Sequence, residues 1–208
     1  MIDELFKQQM DRGWDAVGRV VAKTGVTPNG VTWISFVLSA GNALAFLFHQ
    51  NPLAFGLLVA VVELLDNVDG AVARVTGASS REGAYLDATT DRYKDVFILL
   101  AIGHVMGDWL PVAVAISGSL ITSYAAARAA MLGAHGQGAK GWPDLFERLE
   151  RIATICIGLV FTTVCPPIFG HSLMFWVLWF VAGMTQITAA QRFTRRLREL
   201  RGMDRAAG

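Results

Sequence analysis

The chain is predicted to be an all-α integral membrane protein, with six transmembrane helices preceded by an N-terminal amphipathic interfacial helix. Three observations predict this. Hydrophobic residues fill 53% of the 208 positions and the mean hydropathy is +0.44, which excludes an ordinary soluble domain. Apolar runs recur at about 31–48, 53–75, 84–106, 109–131, 151–168 and 172–191, each near the ~20 residues that a membrane-crossing helix needs. Lysine and arginine cluster in alternate connections between those runs.

Residues 1–26 form the first element. Ile2, Leu5, Phe6, Met10, Trp14, Val17 and Val21 recur at helical spacing, with Lys7, Asp11, Arg12, Asp15 and Arg19 elsewhere on the helix. That pattern suits a cytoplasmic juxtamembrane helix lying in the interface. It does not read as a signal peptide, because Asp3 and Glu4 lead and no apolar core with a cleavage site follows. Thr27-Pro28-Asn29 then breaks the chain before the first span. Residues 27–194 make the six-helix transmembrane domain, and residues 195–208 a basic cytoplasmic tail.

Charge placement sets the orientation. The turns at 49–52, 104–111 and 165–172 contain no lysine or arginine. The opposite side carries Lys7, Arg12, Arg19, Lys23, Arg74, Arg81, Lys140 and Arg148, then six arginines from Arg192 to Arg205. Both termini and the loop between the second and third spans are therefore expected in the cytoplasm. A basic cytoplasmic face suits anionic lipids and phosphorylated substrates. Nucleic acid is excluded as a partner, since no basic soluble domain exists to hold it. Cys156 and Cys165 lie within or at the end of one span and are assigned neither a disulfide nor a metal.

The second and third spans are interrupted by acids. From Asp66 the chain reads D-N-V-D-G-A-V-A-R, then eight residues, then G-A-Y-L-D-A-T-T-D ending at Asp91. An ionised aspartate at the centre of a membrane helix costs roughly 2.5–3.5 kcal/mol, and four together repel one another unless cations hold them. Asp66 and Asp69 lie about 60° apart on a helix, and Asp87 and Asp91 about 40°, so each pair shares a face. Gly77 is expected to end the second span as a left-handed cap, and Ser79-x-x-Glu82 to open the third as a capping box. With helix ends near Thr76 and Arg81, Asp66 and Asp91 each stand roughly 15 Å from their ends. Asp69 and Asp87 form a second matched level. Hard oxygen ligands of this kind suit Mg²⁺, Mn²⁺ or Ca²⁺ rather than zinc. Two such ions would clamp a pyrophosphate for in-line displacement. Gly70, Ala73 and Gly83 remove side-chain bulk beside the acids, either for close helix packing or for close approach of a nucleotide.

Here the chain resembles a known family. Asp66, Asp69, Gly70, Ala73, Arg74, Gly83, Asp87 and Asp91, at these intervals, match the signature of the CDP-alcohol phosphotransferases, membrane enzymes of phospholipid head-group synthesis. The resemblance extends to the six-span layout and to Thr27-Pro28-Asn29. It implies that Asp66, Asp69, Asp87 and Asp91 bind two divalent ions, that Asp91 also serves as the base, and that Gly70, Ala73, Arg74 and Gly83 surround the CDP moiety. It implies a homodimer, and transfer from a CDP-linked lipid (CDP-diacylglycerol or CDP-archaeol) to an alcohol, with release of CMP.

For the acceptor, Ser123-Tyr124-x3-Arg128, the Glu147–Arg151 segment and Gln191-Arg192 offer a second constellation. Arg128, Arg148, Arg151 and Arg192 at one membrane level form a candidate phosphate receptor, because guanidinium grips phosphate bidentately. Against this, such arginines also snorkel to lipid headgroups or pair with Glu147 and Glu150. The wording around Asp87 and the Ser-Tyr segment resemble the branch that uses inositol 1-phosphate. Ala126 departs from that branch, where a Lys or Arg is common, which leaves glycerol 3-phosphate, serine or another alcohol open. Glu63 reads as an outer hydrogen-bond partner or a protonated packing acid, and Asp95 as support for Arg92, Lys94 or the metal shell.

A divalent-metal transporter is the alternative from a different class. It explains intramembrane acids but not the glycines, Arg74, or the lack of acids in the outer halves of the spans. A membrane prenyltransferase would place its acidic motifs far apart in a longer bundle, and an EF-hand would need alternating oxygen ligands.

Overall fold

The computed structural model describes residues 13–134 and 145–207. The described residues are helical nearly throughout. Helix α1 covers residues 13–22, followed by α2 (Pro28–His49), α3 (Pro52–Thr76), α4 (Arg81–Met106), α5 (Trp109–Met131), α6 (Arg148–Phe161) and α7 (Leu173–Ala207). The first half of the amphipathic stretch, from Ile2 to Arg12, lies outside the described residues.

Local chemistry sets the helix ends. Thr27 caps α2 by accepting from Gly30 N at 3.1 Å, with Pro28 at the first helical position, where its missing N–H costs nothing. Asn51 and Pro52 repeat the device at α3, with Asn51 Oδ1 accepting from Ala54 N at 3.2 Å. Gly77 ends α3 at φ 67°, the left-handed conformation expected for it. Helix α4 differs from expectation by one residue. Its cap is Ser80 and not Ser79: Ser80 stands in extended conformation and its Oγ accepts from Gly83 N at 3.0 Å. Helix α6 also differs, ending at Phe161 rather than continuing to 168. Pro166 and Pro167 bar a helix there, and the chain turns through an isolated bridge between Ile168 and His171.

The principal helix contacts form a closed ring: α3 on α2, α2 on α4, α4 on α5, α5 on α7, α7 on α6 and α6 back on α3. Small residues set the close approaches. A Cβ on Gly118 of α5 would stand 2.7 Å from Thr185 Oγ1 of α7, and one on Gly158 of α6 2.8 Å from Val177 of α7. One end of the ring is filled by apolar side chains. Phe46 and Phe55 stack there with centroids 4.2 Å apart, beside the fully buried Ile102, Ile155, Leu159 and Leu178. The other end is filled by the acids and their partners. Helix α1 closes on that end: Trp14 and Val21, with Val26 just after the helix, pack against Val31, Val68 and Val72, and a Cβ on Gly18 would stand 2.8 Å from the Ala71 backbone.

Three helices, α2, α5 and α7, are long and apolar enough to cross a membrane. The lengths of α3 and α4, 25 and 26 residues, also match a bilayer, but their composition carries the motif charges. Helix α7 has 35 residues, about 52 Å at 1.5 Å per residue, so it outruns the hydrocarbon core and carries residues 195–207 onward as helix. Large apolar side chains such as Val37, Leu44, Leu64, Leu110 and Phe180 are exposed around the ring, as befits lipid-facing positions. The chain is an all-helical integral membrane protein.

Candidate active site

Helix α2 lies against both α3 and α4, so the acids of α3 and α4 meet as side chains across a gap that α2 floors. Asp66, Asp69 and Asp87 come together, with one carboxylate oxygen from each lying within 4.8 Å of the others. Helix α2 supplies two hydroxyl donors to them. Thr32 Oγ1 donates to Asp69 Oδ2 at 2.6 Å and Ser35 Oγ donates to Asp66 Oδ1 at 2.8 Å. Gly70 N donates to Asp69 Oδ1 at 2.5 Å. These bonds aim the carboxylates while leaving oxygens of the three acids facing one another. Three converging hard oxygen donors are the set that Mg²⁺ or Mn²⁺ takes. The residues fit a divalent cation.

The fourth acid is engaged differently. Asp91 Oδ1 lies 3.0 Å from Lys94 Nζ and 3.1 Å from Arg148 Nη2. Lys94, fully buried, also reaches Asp66 Oδ1 at 2.5 Å. Arg148 projects from the first residue of α6 into the centre of the polar end. It pairs with Glu63 at 2.8 Å, Asp95 at 3.3 Å and Asp66 at 3.6 Å, besides Asp91. Asp95 in turn pairs with the buried Arg151 and lies 3.8 Å from Arg92, and accepts from Ser119 Oγ at 3.3 Å. Glu63 thus joins the acids through Arg148, and Asp95 organises the arginines rather than Lys94.

Two cavities flank this cluster. The first, about 270 Å³, is lined by Thr32, Asp69, Gly70, Ala73, Arg74, Gly83 and Asp87, together with the Ala78–Ser80 turn and the start of α2. Gly70, Ala73, Arg74 and Gly83 therefore share one hollow with two of the acids. Arg74 Nε donates to Asp15 Oδ1 of α1 at 3.0 Å. The second cavity, about 590 Å³, opens on the other side of Asp66. Arg92, Arg148, Arg151 and Arg192 line it, with Ser119, Thr122, Ser123 and Glu63. Arg92 Nη1 donates to Ser123 Oγ at 2.8 Å, and Arg192 Nη1 to Thr122 O at 3.4 Å.

Of the four arginines singled out in the sequence, the structure brings together Arg148, Arg151 and Arg192. Arg128 stands apart as an exposed side chain and does not line this cavity. The reason is helical phase: five residues beyond Ser123, it is turned about 140° away. Sequence reasoning missed Thr32 and Ser35 as neighbours of the acids, and named Arg92 and Lys94 only as candidate partners of Asp95, of which the structure keeps Arg92. The signals were thin: two hydroxyls three residues apart in an apolar span, and a lysine one turn past Asp91.

With this geometry in place, the comparisons with known proteins converge. The description of CDP-alcohol phosphatidyltransferases matches residues 25–187. An archaetidylinositol phosphate synthase of Pyrococcus horikoshii is 35% identical, covering 82% of this chain and 87% of its own. A phosphatidylinositol phosphate synthase of Mycobacterium marinum is 33% identical across 90% and 81%. Among solved structures, the Mycobacterium tuberculosis phosphatidylinositol phosphate synthase with CDP-DAG bound superposes with a TM-score of 0.74 at 27% identity, over 89% of this chain and 94% of that one. Its complex with manganese and citrate gives 0.75 at 26%, over 90% and 88%. The matched span runs from the loop before α2 to the middle of α7 and contains every acid of the cluster. The chain belongs to the CDP-alcohol phosphatidyltransferase family and is an enzyme of that class.

Proposed function

We propose that the chain transfers a phosphatidyl-type group from a CDP-linked lipid, CDP-diacylglycerol or CDP-archaeol, to the hydroxyl of a small phosphorylated polyol, with inositol 1-phosphate as the first choice, and releases CMP. The observation that carries this reading is the placement of one acid cluster between two unlike cavities, one lined by glycines and one by guanidiniums. Names of relatives point the same way, since both kinds of synthase make inositol-phosphate lipids.

The residues divide the work. Gly70, Ala73 and Gly83 leave room for a cytidine diphosphate against the backbones of α3 and α4, and Arg74 offers it a guanidinium. Asp66, Asp69 and Asp87 are the side chains that would hold a divalent cation, Mg²⁺ or Mn²⁺. Such a cation, when bound, draws charge from the donor diphosphate and stabilises departing CMP. Arg92, Arg148, Arg151 and Arg192 orient the acceptor phosphate from the far side, replacing the set that included Arg128. Asp91 lies beside Asp66 and within reach of Arg148, and one of its carboxylate oxygens takes the proton of the acceptor hydroxyl. The acceptor oxygen then bonds to the lipid-bearing phosphorus as the bond to CMP breaks, in line.

Lysine and arginine placement supports six spans, with the site and both termini on the cytoplasmic side. That is the side where CMP and a polyol phosphate dissolve while the donor's chains stay in the bilayer. The homodimer implied by the resemblance belongs to this reading, with mass measurement in detergent as its check. The deciding experiment is CMP release by pure protein from CDP-diacylglycerol against a panel of inositol 1-phosphate, glycerol 3-phosphate, serine and inositol. Turnover only with the phosphorylated polyols is expected; turnover with serine alone would overturn the acceptor assignment. Metal-dependent ²⁸Mg uptake into liposomes without CMP release would favour transport instead.

A further inference from the structure

Helix α1 crosses α3 more closely than a side chain would allow. A Cβ on Gly18 would stand 2.8 Å from Ala71 C, 2.9 Å from Ala71 O and 3.0 Å from Ala71 Cβ. The first two atoms are helix backbone with no rotamer to adopt, so glycine is what lets the helices meet at this distance. Ala71 and Val72 are fully buried at the crossing. The seat adjoins the smaller cavity. Ala71 follows Gly70, which lines that cavity, and Arg74, also in its lining, comes less than one turn later.

Arg74 extends from the last turn of α3 with 44% of its side chain exposed, so burial does not fix its direction. Two contacts do. Its Nε donates to Asp15 Oδ1 of α1 at 3.0 Å, and its Nη1 stands 3.5 Å from the point that a Gly70 Cβ would occupy. The guanidinium thus rests one edge on α1 and carries another over the glycine floor of the cavity. Asp15 and Gly18 lie three residues apart, about 60° around the helix, so seating the glycine on α3 also brings the carboxylate to Arg74. Ala16, Arg19 and Lys23 on the other side of α1 are exposed, which leaves the grip on the bundle to the Gly18 side.

We infer that Gly18 and Asp15 are positioning residues of the donor site: the glycine seats α1 on α3, and the carboxylate then aims the Arg74 guanidinium across Gly70 at the donor diphosphate. Neither residue lines the cavity itself; both act through Arg74. The inference deepens the transferase reading above and rests on it.

The test is steady-state CMP release by full-length protein in detergent, with the CDP-linked donor and the acceptor varied separately. In Gly18→Val the donor KM is expected to rise about 10-fold with kcat little changed, the pattern of lost binding rather than lost chemistry. The acceptor KM is expected to hold. Gly18→Ala drives the same first atom into Ala71 and should follow in smaller measure. Ala16→Val adds comparable bulk on the exposed side and should change neither constant. A merely structural role is separated by a double-mutant cycle. In an Arg74→Ala background, Gly18→Val and Asp15→Asn should add nothing to the donor KM, because the guanidinium they aim is gone. Fully additive effects would overturn the inference and leave the transferase reading standing. So would an unmoved donor KM in a folded Gly18→Val chain, an equal rise for both substrates, or a matching rise in Ala16→Val. If gel filtration shows that neither Gly18 variant folds, the cycle of Asp15→Asn with Arg74→Ala decides alone. Wild type that releases no CMP from any CDP-linked lipid would sink this inference and the transferase reading together.

Discussion

The two cavities on either side of the acid cluster are built on opposite principles. The smaller is made by absence: Gly70, Ala73, Gly83 and Ala84 withdraw side chains so that a ligand can approach backbone. The larger is made by presence, with four guanidiniums reaching in from α4, α6 and α7. The first needs only α2, α3 and α4 and the turn between the latter two. The second needs helices far apart in sequence, and three of its arginines, Arg92, Arg148 and Arg151, are held by Glu63, Asp91 and Asp95 before any ligand arrives. A hollow of small residues is specific by shape. A hollow of paired charges is specific by electrostatics, and any anion entering it competes with carboxylates already there.

The largest expected effect lies at the fourth acid of the cluster. Asp91→Asn keeps the shape of the side chain and loses its basicity, so CMP release should fall by about 10²–10⁴-fold while gel filtration shows a folded protein. Near-normal turnover would remove Asp91 as the base and leave the acid cluster between the two pockets without its proton acceptor. EDTA should silence the wild type equally, with activity restored by excess Mg²⁺ or Mn²⁺.

Next comes Arg148→Ala, which strips the common partner from Glu63, Asp91 and Asp95. Leaving buried carboxylates without their cation should cost on the order of 3 kcal/mol, seen as a lowered apparent melting temperature. An unchanged melt would show that the charged cavity is not structural in the way described.

A matched pair of substitutions then separates the cavities. In Gly70→Val the first added carbon stands 3.5 Å from Arg74 Nη1, ordinary contact, so the fold should survive while the smaller hollow fills. The KM for the CDP-linked donor should rise about 10-fold, equivalent to ~1.4 kcal/mol, with the acceptor KM unmoved. Arg192→Ala should do the reverse, raising the KM for a phosphorylated acceptor by a similar factor. Equal effects on both substrates in either variant would blur the division. The smallest change is expected from Asp15→Asn. Its bond to Arg74 is a half-exposed ion pair, worth roughly 0.2–1 kcal/mol, so the donor KM should shift by no more than a few-fold and Asp15→Glu should restore it.

How much of this was readable in advance follows the same division. The helix ends at Thr76 and Arg81 and the left-handed Gly77 come from spacing within about 30 residues and stand in the structure, and three of the four aspartates converge as their spacing implied. Small errors came from near-equivalent local choices. Ser79 and Ser80 both offer a capping hydroxyl, and only the actual start of α4 selects Ser80. The apolar run to 168 concealed a helix that stops at Phe161, because hydropathy registers burial in lipid or protein and not hydrogen-bond geometry. The arginine cavity was legible in three of its members. Arg128 was misplaced because shared membrane depth does not imply a shared face. Lys94 reads in the sequence only as a partner of Asp95, and its contact with Asp66, 28 residues away on another helix, is not readable from spacing.

Composition, the alternation of basic connections and the spacing of four aspartates were enough to establish an all-helical membrane chain with a divalent-cation chemistry. Those properties are sums over residues or relations within one hairpin, so a linear reading reaches them. Only the tertiary structure decided that α2 floors the cluster with Thr32 and Ser35, that Asp91 faces Lys94 and Arg148, and that two cavities of opposite character flank the acids. Each of these depends on which faces of non-adjacent helices pack together, and helix packing is settled by the shapes of whole surfaces rather than by the order of residues along one of them.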